Sequence, residues 1–515
     1  MNRTLVSCTV ALVSFVAFAK VELATPFNDG MVLQRDRAVP VWGQADSGAR
    51  VVVSFAGQKL EAKADARGGW RVDLNPMKAS KEGRTLTVSA GGDTCRITDV
   101  LVGEVWFCSG QSNTDCPIWG PSPHYRDGQG AMIMQMTMKP FVRLVKTPLV
   151  GSAVPRFDYR AKWMKMTPQT LSYDSRPERF PSAMGYLFAF ELANSLDIPV
   201  GLIDSSWGGT NIDSWTPPSG YQTVPALSDV AALPCLPKAE FDVSRTNGVY
   251  KSARNASIYG KNWIQQPTAL WNGMVAAYAP MAIRGLIWYQ GCHNSSEPDR
   301  YCDKLHALYN GWAKEFGNSG LRFYFVQLAP FGNGFCKLQM AQSKFAAEEE
   351  NAAISVINDV GCLTDIHPND KRTVARRLAL HALKRDYGFD WIVDDSPTVK
   401  DWRIENGKFV LSFRNVREWH LYNEDWSLAN GFEITGTNGV WTAARIEGVE
   451  NQQEAGKQHG KCRGTISGTD LVVSAEGVDA PVRLRYLFQK PFKGNLYNEM
   501  DLPLGVFEVG AGKGD

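Results

Sequence analysis

The sequence predicts an α/β protein built on a three-layer parallel sheet, with a small β-sandwich before it and a β-rich region after it. Three observations predict this. Between about residues 100 and 389, short apolar runs alternate with amphipathic helical patterns, as expected of a parallel sheet covered on both faces. Before Val100, short strand-like runs are separated by Gly, Asp and Asn, the pattern of a small sandwich. After Phe389 the strand character returns. A length of 515 residues also exceeds what one ordinary core organises, so more than one domain is expected.

Taken in chain order, residues 1–19 read as a signal peptide. Met1-Asn2-Arg3 is a short basic start, Leu5 to Ala19 is apolar, and Ala17-Phe18-Ala19 resembles a small-residue cleavage site. The run is too short to span a bilayer, so the expectation is a secreted or periplasmic protein with no membrane insertion. Residues 20–99 form the expected sandwich, with strands at Val51 to Phe55, Trp70 to Leu74 and Thr85 to Val88. Trp42 and Trp70 fit either its core or a carbohydrate platform.

The expected catalytic domain is residues 100–389. Val100 to Cys108 is almost continuously apolar, as a strand buried on both faces should be. Similar strands are predicted at Pro199 to Ile203, Leu286 to Tyr289, Phe323 to Leu328 and Ile354 to Ile357. Met184, Leu187, Phe188, Leu192 and Leu196 share one helix face, as do Leu305, Leu308, Tyr309, Trp312 and Phe316. Residues 220–266 are irregular and read as an excursion over the surface. Residues 390–515 form the β-rich domain, with strands at Phe409 to Phe413, Leu471 to Val473 and Val482 to Phe488.

Composition narrows the partners. With 44% hydrophobic and 21% charged residues and a net charge of +2, the chain offers no reason to expect nucleic acid. Lys371-Arg372 and Arg376-Arg377 recur at helical spacing and read as a solvated helix face. Nine cysteines follow the leader, so an exported chain keeps at least one unpaired within itself. The absence of a CxxC pair or His-rich cluster argues against a structural zinc site.

Four loops that follow predicted strands carry the candidate chemistry. In parallel sheets, ligands bind beyond the carboxyl ends of the strands. Gly110-Gln111-Ser112-Asn113 puts a hydroxyl at such an end, though not within the Gly-x-Ser-x-Gly elbow of α/β-hydrolases. Ser206-Trp207-Gly208-Gly209-Thr210 offers a Gly pair whose backbone N–H groups can approach a substrate oxygen closely. Gln290-Gly291-Cys292-His293-Asn294 offers a side-chain amide. Asp365-Ile366-His367-Pro368 supplies an imidazole, the usual base for a serine hydroxyl, beside a carboxylate able to fix its tautomer.

These loops resemble the four blocks of the SGNH hydrolase superfamily, whose fold is flavodoxin-like. More closely, the chain resembles the sialate O-acetylesterase family of carbohydrate acetylesterases. The resemblance is carried by Gly30-Met31-Val32-Leu33-Gln34-Arg35, Val102-Gly103-Glu104-Val105-Trp106, the four loops, Leu270-Trp271-Asn272-Gly273-Met274, Ile287-Trp288-Tyr289-Gln290-Gly291 and Asn495-Leu496-Tyr497-Asn498. It implies Ser112 as nucleophile, His367 as base, and an oxyanion hole made by the Ser112 amide, Gly209 and Asn294. Asp365 is the expected acid, with Asp359 or a backbone carbonyl as the alternative; the position three before His367, where many SGNH enzymes carry Asp, is Thr364.

The family usually reads Gln-Gly-Glu-Ser-Asn in the third block, where this chain has Cys292 and His293. His293 is then a candidate substrate contact or a polar brace, and Cys292 a candidate disulfide partner of Cys302. Gln111, Trp207 and Gln290 are further candidate substrate contacts, and Trp119 and Trp288 suit a sugar face. The implied function is hydrolysis of O-acetyl esters of sugars, O-acetylated sialic acids foremost, without metal or organic cofactor. Acetylated plant polysaccharide is the alternative substrate, and a carbohydrate-binding protein on a degenerate scaffold is the alternative class. Oligomeric state does not follow from the sequence.

Overall fold

A computed structural model of the chain describes residues 20–118, 141–157, 162–171, 181–238, 262–331, 335–361, 365–423, 431–447, 462–488 and 493–510. The expected leader, Trp119, Cys362 and Thr364 lie outside the described residues.

Alternation builds the first strands. These are β1 (Glu22–Leu23), β2 (Val32–Gln34), β3 (Val39–Gln44), β4 (Arg50–Phe55), β5 (Gln58–Lys63), β6 (Gly69–Leu74), β7 (Ser80–Ala90) and β8 (Asp93–Gly110). In β4, Val51, Val53 and Phe55 are buried while Val52 and Ser54 are not, the two-residue period of a sheet with one covered face. β1, β3 and β6 form one antiparallel sheet. β4 pairs with β5 and β7, and β7 continues onto β8. Trp70 is buried and Trp42 packs edge-on against Phe27 at 4.8 Å, so both contribute to packing.

β8 is the hinge of the architecture. It is 18 residues long, and residue 100, expected to open a new domain, lies inside it. Its first half pairs with β7; its second half enters the parallel sheet. Asp99, at φ 54°, lies where the β7 pairing slips register, the local extra twist of a bulge. Glu104 on β8 is fully buried and held by Gln34 (2.9 Å), Arg35 and Arg284 (3.0 Å).

The parallel sheet adds β9 (Val142–Lys146), β10 (Trp163–Lys165), β11 (Val200–Ser206), β12 (Gly285–Tyr289), β13 (Arg322–Val326) and β14 (Ala352–Ser355). Its order is β10-β9-β11-β8-β12-β13-β14, parallel throughout except for β10 at the edge. β9 is absent from the sequence reading because Arg143 interrupts its apolar run. That arginine is nevertheless buried, paired with Asp99 at 3.0 Å.

Five helices matter for the site: α1 (Ser112–Asp115), α2 (Ala183–Leu196), α3 (Pro298–Glu315), α4 (Cys336–Glu348) and α5 (Lys371–Tyr387). Consecutive side chains on β8 reveal which face each covers. Trp106 packs on Phe188 of α2 at 5.1 Å and donates to Tyr387 of α5, whereas Phe107 packs on Trp312 of α3 at 4.9 Å. Neighbouring strand residues point to opposite faces, so helices cover both sides. Ser182 caps α2 by accepting from Gly185 N, and Asp370 caps α5 by accepting from Thr373 N.

One continuous apolar core runs from Val21 to Leu383, through both the N-terminal strands and the parallel sheet. A second core, from Phe409 to Val506, is enclosed by three small antiparallel sheets. The basic residues of α5 divide rather than forming one solvated face. Arg372 and Arg376 are exposed, but Lys371 and Arg377 are buried, the latter paired with Asp359 at 2.7 Å. The described part of the 220–266 excursion consists of short helical turns, such as Pro225–Leu227 and Ser228–Ala231.

Candidate active site

Topology brings three of the four loops together before any side chain is considered. β8 lies between β11 and β12, and the chain crosses from one side of it to the other between those two strands, which makes it the switch point where a cleft opens. Gly110 is in register with both Ser206 of β11 and Tyr289 of β12, so the three strands end level. Hydrogen bonds lock the ends: Gln111 N donates to Tyr289 O at 3.1 Å, and Trp207 N to Gly110 O at 3.1 Å.

Gly110 is obligatory in this arrangement. Its φ is 139°, and a Cβ would stand 2.3 Å from the Tyr289 carbonyl oxygen. The chain turns there to start α1 with Ser112. Behind α1, the buried ammonium of Lys146 joins Asp115 (3.0 Å) to Asp204 of β11 (2.8 Å).

The predicted nucleophile and base meet. His367 Nε2 lies 3.0 Å from Ser112 Oγ, and His367 Nδ1 lies 3.1 Å from Asp365 Oδ1. The same Asp365 oxygen accepts from the His367 backbone N at 2.9 Å, which holds the carboxylate toward the ring. With the proton on Nδ1 directed at Asp365, Nε2 is left as the acceptor for the serine hydroxyl. Asp359 is occupied by Arg377 through two 2.7 Å bonds and does not orient His367.

The Gly pair sits against the nucleophile. A Cβ built on Gly208 would touch Ser112 Cβ at 3.4 Å, and Gly209 has φ 72° with open space where a Cβ would be. Gln265 donates to the Gly209 carbonyl, fixing the peptide. Asn294 is clamped from three sides. Its Oδ1 accepts from Ile212 N (3.0 Å) and Gln290 Nε2 (2.7 Å), and its Nδ2 donates to Glu297 Oε2 (3.0 Å). An amide whose oxygen is doubly engaged cannot flip, so the second Nδ2 proton keeps one direction.

The other expected contacts are mostly braces. Gln290 is fully buried; it donates to Thr210 O and Asn294 Oδ1 and accepts from Tyr301 OH, leaving no hydrogen-bonding capacity on its nitrogen for substrate. Gln111 is buried, and its Oε1 accepts from Gly291 N (3.2 Å) and His293 N (3.3 Å). Trp207 is buried to within 9% exposure, and Trp288 is fully buried against Trp215, so Trp288 belongs to the core rather than to a sugar face. His293 is half-buried. Burial holds its pKa below the usual histidine value, only partly opposed by Glu297 and Asp213. Cys292 and Cys302 are both free thiols, so the expected pairing is absent; burial pushes the Cys292 thiol up to about 12.

Several supporting residues were not legible in the sequence. Lys304 of α3 is 1% exposed and bridges Glu297 and Asp213, each at 2.9 Å. Asn113 Nδ2 donates to Ile366 O at 3.0 Å, and Lys371 Nζ donates to Asn113 Oδ1 at 2.6 Å. A lysine inside the apolar stripe of α3, between Tyr301 and Leu308, was the available signal for the first network. Among the described residues, two clusters have metal-ligand composition: Cys302, His306 and Glu348, and His381, Asp394 and Asp395. Hydrogen bonds already link the first through Glu348, and Arg385 supplies the cation of the second. No described helix is long and apolar enough to cross a membrane.

A hydroxyl, an imidazole and a carboxylate in hydrogen-bonded sequence, flanked by a glycine turn and a fixed amide, match the arrangement that serine hydrolases use. Residues 244–382 match the family described as SASA, carbohydrate esterase, sialic acid-specific acetylesterase. Sialate O-acetylesterase of Rattus norvegicus is 30% identical over 467 residues, spanning 81% of this chain and 83% of that protein. Its Homo sapiens counterpart is 26% identical over 473 residues, spanning 83% of each. A carbohydrate acetylesterase from Xanthomonas citri has a similar structure, with a TM-score of 0.76 at 30% identity over 96% of this chain and 100% of that one. The chain belongs to the sialate O-acetylesterase family and is a carboxylic ester hydrolase.

Proposed function

We propose that the protein is an exported serine esterase that removes O-acetyl groups from sugars, O-acetylated sialic acids foremost, through an acyl-enzyme on Ser112. The observation that carries the reading is the line Ser112 Oγ to His367 Nε2 to Asp365 Oδ1, at 3.0 and 3.1 Å. His367 takes the hydroxyl proton as Ser112 Oγ bonds to the acetyl carbon. The carbonyl electron pair moves onto oxygen, where the amides of Ser112 and Gly209 and the Asn294 side chain receive it. Collapse breaks the bond to the sugar oxygen, which leaves with the proton from His367. Water repeats the sequence on the acetyl-serine and releases acetate.

In this reading, residues 100–389 form an SGNH-type catalytic domain, residues 20–99 a β-sandwich, and residues 390–515 a β-rich domain, after a cleaved leader of 19 residues. N-terminal sequencing of exported protein should begin near Lys20. The function is tested by acetate release from a panel of O-acetylated sialic acids and acetylated xylo-oligosaccharides. Wild-type protein should favour the sialic acids, and Ser112→Ala should abolish release from every substrate. Wild-type turnover by Ser112→Ala would overturn the assignment; preference for the xylo-oligosaccharides would redirect it to plant polysaccharide.

A further inference from the structure

The base of the site holds a charge that the ester chemistry above does not use. Lys371 opens α5 four residues after His367 and is 1% exposed. Its ammonium donates to Asn113 Oδ1 at 2.6 Å and lies 5.6 Å from the centre of the Tyr289 ring. Among the described residues, none of the ion pairs formed at close range involves it. A buried ammonium without a paired carboxylate is costly, and the first turn of a helix is the end that disfavours a cation. Packing alone would be served better by an apolar side chain.

The hydrogen bonds around Lys371 indicate what it does. Asn113 immediately follows the nucleophile, and its Nδ2 donates to the carbonyl of Ile366 at 3.0 Å. Ile366 immediately precedes the base. Lys371 and Asn113 therefore tie the turn after Ser112 to the loop before His367, alongside the 3.0 Å contact through which the proton must pass. Asn113 is itself 1% exposed, so water does not compete for the relay.

The charge matters as well as the bond. The groups facing Lys371 are Asp365 in the base loop, Asp370 at the α5 cap, the thiols of Cys116 after β8 and Cys292 after β12, and the Tyr289 ring. Burial keeps Cys292 protonated, with its pKa at about 12, so the residue at that point of the third block contributes no counter-charge. The ammonium is thus held by the Asn113 amide oxygen rather than by an ionised thiol beside it.

We propose that Lys371 is a positioning residue for acetyl transfer, which sets the approach of His367 to Ser112 through Asn113. The inference rests on the reading of Ser112 and His367 given above.

The test is Lys371→Met, which keeps the stem and removes the charge. With active sites counted by a fluorophosphonate, kcat for an acetylated sialic acid should fall about tenfold or more, with KM within about twofold. Unchanged kcat per titrated site would overturn the proposal and leave Lys371 a structural residue. Asn113→Ala, measured in parallel, cuts the relay but keeps the ammonium. It should reproduce the loss of kcat, and wild-type kcat in that variant would equally refute the relay. Turnover by Ser112→Ala would remove the underlying reading; an inert Ser112→Ala beside an unaffected Lys371→Met would remove only this inference.

Discussion

Replacing Asn294 by Asp tests the oxyanion role of its amide in folded, titratable enzyme. The substitution preserves shape, and its Oδ1 still accepts from Ile212 N and Gln290 Nε2, at 3.0 and 2.7 Å in the native site. What changes is the other atom. The Nδ2 that donates to Glu297 becomes an oxygen that faces the Glu297 carboxylate and has no proton for an oxyanion. Loss of one oxyanion donor costs about 10²–10³ in turnover, or roughly 2.7–4 kcal/mol. The donor acts mainly on charge that develops in the transition state, so kcat should take the loss while KM stays within about threefold. Acetate release at pH 7, normalised to fluorophosphonate-titrated sites, measures it. Asn294→Ala should show a similar rate loss together with a stability loss of about 2–5 kcal/mol, because Ile212 N–H and the Gln290 amide both lose a buried acceptor. A folded, titratable Asn294→Asp enzyme with kcat within about threefold of wild type would refute the oxyanion role.

Two further expectations concern the buried charges. Lys304→Met should destabilise the protein by about 3–5 kcal/mol in urea unfolding, since it strands the carboxylates of Asp213 and Glu297. Burial lowers the Lys304 pKa, but those carboxylates raise it further, for a net increase; its contribution is therefore complete below the unfolded value of about 10.4 and lost as pH rises through the folded one. The loss should accordingly be the same at pH 6 and pH 8, and a cost below about 1 kcal/mol would contradict the network. For Glu104, burial raises the pKa, but Arg284, Gln34 and Arg35 together hold it below the usual range. Its contribution is present above about pH 4.3 and lost as pH falls through the lower folded value. Glu104→Gln should lower stability at pH 7 by about 3 kcal/mol and flatten the acid-side decline; unfolding curves at pH 3, 5 and 7 that parallel wild type would exclude this.

The parallel sheet was legible because strands buried on both faces leave long apolar runs, as in Val200–Ser206 and Gly285–Tyr289. The four candidate loops were legible for a related reason: glycine and polar residues directly after such runs mark the strand ends where a cleft opens. Partnership was not legible. Arg143, Lys304, Lys371 and Arg377 look like solvent-facing charges until the fold supplies Asp99, Glu297, Asn113 and Asp359 from distant segments. The same blindness applies to Gln111 and Gln290, whose amides could be assigned to substrate or to scaffold only after their neighbours were known. Strand length was also hidden. The change to an apolar run at Val100 suggested a boundary, whereas the strand continues through a bulge at Asp99.

That continuity limits how the chain can be divided. A single ribbon from Asp93 to Gly110 serves both the N-terminal pairing and the parallel sheet, and it delivers Ser112 two residues beyond its end. Excising the N-terminal portion at any point within the ribbon would strip hydrogen-bonding partners from the strand that carries the nucleophile. Grafting that portion elsewhere would take part of the reactive centre's support with it. In recombination or truncation experiments, the stretch from Val21 to Leu383 should therefore be inherited as one indivisible unit.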